Sequence, residues 1–277
     1  MNNHESHSQL ITLAMQEDLS SRGDVTSQAT IDNDKTGEFI IRCRQRGVLS
    51  GIDVATETMH SFDPKIEIIW KKHDGEVCEV SEDIGVIRGK LRSLLAAERT
   101  TLNFLQHLSG IATLTRIYVD ELAKIHSTSI IRDTRKTLPG YRTLEKKAVV
   151  DGGGHNHRTG LYDAFLIKDN HLSGTTLSGA ISACRKFDPT LPLEVEVDSL
   201  DQLMQVIDHR PDLVLLDNFK PQEVLEAIKR APMIDFEISG GVNIYNLAEY
   251  GKTNVKYIAI GSLTHSAPSL DIGFDLP

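Results

Sequence analysis

The chain's 277 residues suffice for two average domains or one large barrel with an added module, and 40% hydrophobic, 25% charged and 5% aromatic residues exclude disordered and fibrous classes. A net charge of -9 disfavours a nucleic-acid partner, whose phosphates need an excess of Lys and Arg. No run reaches the ~18 apolar residues of a membrane helix.

The start MNNHESHSQL lacks the apolar core of a signal peptide, so the expected location is cytoplasmic. Ser8 is placed to cap a short helix through Leu10, Ile11, Leu13, Ala14 and Met15, before the turn-rich SSRGDVTS. GEFIIRC, KIEIIW and IGVIRG then read as strands separated by turn formers such as Asp74-Gly75, giving an antiparallel α+β module over residues 1–92. From Leu94 to Ile125 the apolar residues fall at helical spacing, with a break expected at Ser109-Gly110. Cys43, Cys78 and Cys184 are odd in number, far apart and outside any CxxC spacing, which predicts reduced, buried thiols rather than a disulfide framework or a zinc site.

Beyond this helix come six short apolar runs, SIIRD, AFLIK, LEVEV, LVLLD, IDFEIS and YIAIG, at intervals of about 20–35 residues. That interval holds a strand, a helix and two loops, as a β/α barrel requires. Polar or glycine residues collect where the runs stop: Thr134, Arg135 and Lys136 after the first, then Lys168, Glu196, Asp217, Gly240 and Gly241, and Gly261. In barrels the chemistry sits at the C-terminal ends of the strands.

Between residues 132 and 168, eight Lys and Arg stand against four Asp and Glu, a local +4 on an acidic protein that points to a small anionic ligand. Arg135, Arg158 and Lys168, with Lys136 and His157 close by, supply donors for two carboxylates, although each alone could be a surface charge. Gly152-Gly153-Gly154 precedes His155-Asn156-His157-Arg158; the His-x-His spacing suits a metal, but no carboxylate lies close in sequence as its partner. Glu196 and Asp217 close consecutive strands and suit magnesium or a developing positive charge, while Glu194 shares the parity of Glu196 and could be the inward residue instead. Ser239-Gly240-Gly241 and Gly261-Ser262 stand at the last two strands, where barrels commonly hold a phosphate.

The blocks LLAAERTTLNFLQHLSGIAT, IRDTRKTLPG, GGGHNHR, FLIKDNHL, LEVEVD, LLDNF, ISGGV and AIGSLTHS, with EDLSSRGDVTS near the start, resemble the quinolinate phosphoribosyltransferases over nearly the whole chain. The resemblance implies an α/β protein with an N-terminal α+β sandwich domain (1–105), an open β/α barrel (106–265) and a C-terminal segment (266–277) packing back on the first domain. It further implies seven barrel strands, of which only six are read here. The implied reaction joins quinolinate to phosphoribosyl pyrophosphate with loss of carbon dioxide, in a homodimer with shared active sites. Carried over residue by residue, Thr134, Arg135, Lys136, His157, Arg158 and Lys168 bind quinolinate, with Arg99 supplied by the partner subunit. Glu196 and Asp217 serve Mg2+ and the ribose, Ser239, Gly240, Gly241, Gly261 and Ser262 hold the 5-phosphate, and Lys136, Lys168, Glu196 and Asp217 are catalytic. Alternatives are the related molybdenum-transport-operon group, an aldolase with Lys168 as Schiff-base nucleophile, and a non-catalytic sugar-phosphate sensor.

Overall fold

The computed structural model describes the backbone of residues 3–277 and the side chains of residues 7–277. Contacts divide the chain into two units: residues 1–116, 138–153 and 266–277 in one, and 117–137 with 154–265 in the other.

In the first unit a helix spans Asn3–Leu19. Ser8 lies inside it rather than at its cap, and the Ser8 carbonyl accepts from Thr12 Oγ1 at 2.8 Å. The cap in this region is Asp24, whose carboxylate accepts from the Thr26 and Ser27 N–H groups and starts a helix at Val25–Thr30. The strands are β1 (Thr36–Cys43), β2 (Gly47–Val48), β3 (Glu67–Trp70), β4 (Val77–Cys78) and β5 (Glu82–Lys90). The C-terminal strand Ile272–Asp275, β1, β5 and β3 form one antiparallel sheet in that order. Alternation along β1 sends Phe39, Ile41 and Cys43 into a core with Met59, Ile84, Ile87, Leu94, Leu105 and Phe274.

The helix break expected at Ser109-Gly110 does not occur, while the expected free thiols hold for all three cysteines and their burial for two. The helix Leu91–Lys124 runs unbroken through Ser109 and Gly110. Glycine is required there by packing: a Cβ on Gly110 would lie 2.1 Å from the Pro268 carbonyl oxygen, so the residue admits a crossing backbone instead of ending the helix. The cysteines are unpaired in sequence but not in space, since Cys43 and Cys78 are both buried with sulfurs 2.8 Å apart. Both remain free thiols, and Cys184 is only partly buried.

In the second unit, β6 (Ile130–Arg132), β7 (Phe165–Ile167), β8 (Leu193–Val197), β9 (Leu213–Asp217), β10 (Phe236–Ser239) and β11 (Tyr257–Ala259) form one parallel sheet. The order is β6-β11-β10-β9-β8-β7, so the first strand pairs with the last. The helices Leu177–Phe187, Leu200–Val206, Pro221–Arg230 and Leu247–Gly251 alternate with these strands. The place of the seventh strand, unread in the sequence, is occupied by a single parallel bridge between His155 and Arg132 on the free side of β6. One residue of pairing leaves no hydrophobic run to detect.

Candidate active site

Strand parity explains how one face carries the chemistry. Ile167, Val195, Val197, Val214, Leu216, Phe236, Ile238 and Ile258 are buried. Their alternates Leu166, Lys168, Glu196, Leu215, Asp217, Glu237, Ser239 and Ala259 all line a single cavity of about 200 Å³, with Thr134, Arg135, Lys136, His157 and Arg158 completing its wall. Five of the six strands, the segment after β6 and the segment after His155 thus contribute to one interior, which is how a sheet curled into an open barrel presents itself.

Of the +4 island, only Arg135, Lys136, Arg158 and Lys168 remain at the cavity. Lys147 is used in the first unit, bonded to Asp74 at 2.6 Å and Asp151 at 2.7 Å, and Arg132 is bonded to Glu237 at 2.7 Å. Burial holds the Arg158 pKa below the usual guanidinium range, and Arg135 beside it adds to the effect. Two cations facing one cavity form a place for an anion. Arg158 Nη1 donates to the Ala164 carbonyl at 3.1 Å, while Thr134 Oγ1 accepts from the Lys136 N–H at 3.0 Å.

Across the cavity, Lys168 Nζ contacts Glu196 Oε2 directly, and Asp217 accepts from Asn218 Nδ2 at 2.7 Å. Glu194 and Glu196 share a face, as parity requires, but lie at different depths. Glu196 lines the cavity, whereas Glu194 is buried beneath it, 2.8 Å from His157 Nε2.

At the end of β10, Gly240 adopts φ +93° and Gly241 φ +68°. A Cβ on Gly240 would come within 2.1 Å of Asn218 Oδ1, so this turn admits glycine only. Gly240, Gly241, Gly261 and Ser262 follow β10 and β11 without being among the residues that line the cavity, and Arg99 is exposed on the long helix of the first unit.

Sequence reasoning missed Glu237 and Asp133, both fully buried. Asp133 Oδ1 accepts the His157 N–H at 2.8 Å. Glu237 Oε1 is 3.3 Å from His157 Nε2, and its pKa is pushed up to about 7, by burial first and the neighbouring Glu194 second. The available signal was parity, since Glu237 stands two residues before Ser239 on one strand.

His157, Glu194 and Glu237 together have the composition of a metal centre. The hydrogen bonds assign a different state. His157 Nδ1 accepts the Arg158 N–H at 2.8 Å, so the proton belongs on Nε2, which donates toward the carboxylates instead of ligating an ion.

Four cations and two carboxylates around one cavity at the strand ends of a parallel barrel define an enzyme that handles small polyanions. The descriptions of the quinolinate phosphoribosyl transferase N-terminal and C-terminal domains match residues 24–109 and 111–275. The chain belongs to the quinolinate phosphoribosyltransferase family. It is 42% identical to the nicotinate-nucleotide pyrophosphorylase (carboxylating) of Mycobacterium leprae, over 96% of this chain and 95% of that one. It is 38% identical to a probable enzyme of the same name from Bacillus subtilis, over 99% and 94%. The structure of the nicotinate-nucleotide pyrophosphorylase from Francisella tularensis superposes with a TM-score of 0.94 at 35% identity, covering 99% of this chain and 97% of that one.

Proposed function

We propose that this chain joins quinolinate to phosphoribosyl pyrophosphate and releases pyrophosphate and carbon dioxide, forming nicotinate mononucleotide for NAD biosynthesis. The observation that carries this reading is the single cavity lined by Arg135, Lys136, Arg158 and Lys168 together with Glu196 and Asp217. A rigid dianion matches a cavity where burial and then Arg135 disfavour the charge on Arg158, and arginine forks grip carboxylates in a bidentate geometry.

The pyridine nitrogen of quinolinate attacks C1 of the ribose as pyrophosphate departs. The C2–carboxylate bond then breaks, carbon dioxide leaves, its bonding pair is drawn toward the positively charged ring nitrogen, and C2 takes up one proton. Lys136 and Lys168 orient the carboxylates, and Glu196 and Asp217 face the ribose, where positive charge develops. Ser239 at the cavity and the Gly240-Gly241 and Gly261-Ser262 turns beyond it are assigned to the 5-phosphate, supported by the left-handed backbone of the first turn.

Glu196 and Asp217 are hard oxygen donors on adjacent strands, a set that fits magnesium, and they are the residues assigned to hold it. When bound, the ion supplies charge neutralisation for the pyrophosphate.

The test is to incubate the protein with magnesium, phosphoribosyl pyrophosphate and either quinolinate or nicotinate. Nicotinate mononucleotide formed from quinolinate alone is the expected result. Comparable turnover of nicotinate contradicts it, because a ligand with one carboxylate leaves cations unpaired.

We assign a homodimer in which Arg99 serves the partner's site, a reading supported by its exposure. Mixing inactive Arg99→Ala and Lys168→Ala chains should then restore roughly a quarter of the sites in a two-fold symmetric assembly. No recovery in mixed dimers confirmed by mass means that both residues serve one chain. No helix among the described residues is long and apolar enough to cross a membrane. A cytoplasmic location is part of this proposal, supported by the free thiols of the adjacent Cys43 and Cys78.

A further inference from the structure

The segment that delivers Arg158 to the cavity is held in an unusual way for a barrel strand. β10 is laddered on both sides, to β9 and β11. The segment carrying His155, Asn156, His157 and Arg158 has one bridge, made by the His155 N–H to the Ile131 carbonyl at 2.9 Å and the Asp133 N–H to the His155 carbonyl at 3.2 Å. Beyond that bridge, side chains hold the segment. Asp133 takes the His157 N–H at 2.8 Å, and Arg132 Nη2 donates to the Asn156 carbonyl at 3.2 Å. The His157 ring then reaches across the barrel interior to Glu194 of β8 at 2.8 Å and Glu237 of β10 at 3.3 Å. Neither strand is a neighbour of the segment in the sheet.

We infer that His157, Glu194 and Glu237 form a buried clamp that stands in for the missing ladder and sets the position of Arg158 for the substrate's carboxylates. Glu194 and Glu237 are positioning residues. Glu194 lies under the substrate cavity and Glu237 lines it, and both act through His157, whose Nδ1 takes the Arg158 backbone N–H at 2.8 Å. The inference rests on the quinolinate reading above and adds what places the cradle.

Three observations support a positioning role over a merely stabilising one. The three polar groups are buried together, His157 on the segment that has a single bridge and the two acids on the laddered strands β8 and β10. Glu194 Oε1 has no hydrogen-bond partner among the described residues, a cost that a device serving stability alone would not retain. The ring nitrogens also have separate duties, Nε2 toward the acids and Nδ1 toward Arg158, so rotating the ring breaks both connections together.

The clamp needs an acceptor opposite Nε2–H more than it needs a charge. Glu194→Gln keeps an oxygen there and should hold the quinolinate dissociation constant within about threefold of wild type, whereas Glu194→Ala should weaken binding roughly ten- to hundredfold. KM for phosphoribosyl pyrophosphate should stay within about twofold in both, because the clamp sets Arg158 and not the opposite wall. Calorimetric titration of quinolinate and initial-rate kinetics read these values. A purely structural role would lower the active fraction and leave the quinolinate constant of the folded fraction unchanged, which overturns the clamp.

Nitrogen-15 NMR of histidine-labelled full-length protein reads the ring directly. An Nε2–H, Nδ1-acceptor ring for His157 is expected, and an Nδ1-protonated ring overturns the proposal, whether or not the alanine variant folds. If wild type itself takes no quinolinate, the functional reading fails. That outcome is distinct from intact wild-type binding that the alanine variant shares, which sinks the clamp alone.

Discussion

The antiparallel sheet of the first unit and the barrel interior of the second use charge in opposite ways. On the antiparallel sheet and turns of the first, ion pairs lie at the surface: Arg46 meets Glu79 at 3.0 Å with side chains 66% and 60% exposed, and Arg42 meets Asp83 at 2.8 Å. In the barrel unit, Arg132 meets Glu237 at 2.7 Å with exposures of 18% and 0%, and Glu237 shares its pocket with His157 and Glu194. Solvent screens the first kind and the entropy of two long side chains offsets most of the gain. Desolvation makes the second kind expensive, so it persists where a geometry has to be held. Ion pairs therefore cannot be ranked by distance alone.

The largest effect that would sharpen this contrast is at the cradle. Arg158→Ala should lose roughly 2–5 kcal/mol of quinolinate binding, because a carboxylate then enters the cavity without its partner. Stability should not fall in step, since burial and Arg135 already disfavour the charge on Arg158. Calorimetry and urea unfolding on the same preparation measure both, and a parallel loss of stability would break the contrast.

Next comes the buried acid. The Glu237 pKa is raised from its ordinary 4.5 to about 7 in the folded state, by burial and then by Glu194. Between those values the folded chain keeps a proton that the unfolded chain has lost, so this group makes stability fall as pH rises. The full cost, on the order of 3 kcal/mol, is reached above about pH 7 and vanishes below the unfolded value. Glu237→Gln should therefore remove that slope. Urea unfolding of both proteins at pH 5 and pH 8 is the measurement, and a difference between them that does not change with pH would show that Glu237 titrates normally.

The smallest effect is expected at the surface. Arg46→Ala should leave the urea midpoint and the quinolinate constant where they were, because both partners of that pair face water. A clear drop in midpoint would mean that the first unit also depends on its ion pairs.

Much of this was legible before folding. Six parallel strands stood out because strands buried on both faces read as unbroken apolar runs, and the polar residues at their ends converge because barrel strands stop on one rim. Arg135, Lys136, Lys168, Glu196 and Asp217 follow from that rule, whereas Arg158, beyond the unread seventh strand, stood out through the cationic island and the family motif. Local chemistry likewise determined the antiparallel strands of the first unit, by alternation.

Other features were decided only by the tertiary structure, because each depends on what the chain meets far along its own sequence. Gly110 reads as a helix break until Pro268 is found against it. Cys43 and Cys78 read as distant thiols until the pairing of β2 with β4 places their sulfurs together. Lys147 and Arg132 count toward a cationic island until Asp74 and Glu237 neutralise them. The seventh strand left no trace because one bridged residue has no periodicity, and His157 finds its carboxylates on strands that begin tens of residues later. Sequence spacing records neighbours along the chain, whereas burial of charge is settled by neighbours across the barrel.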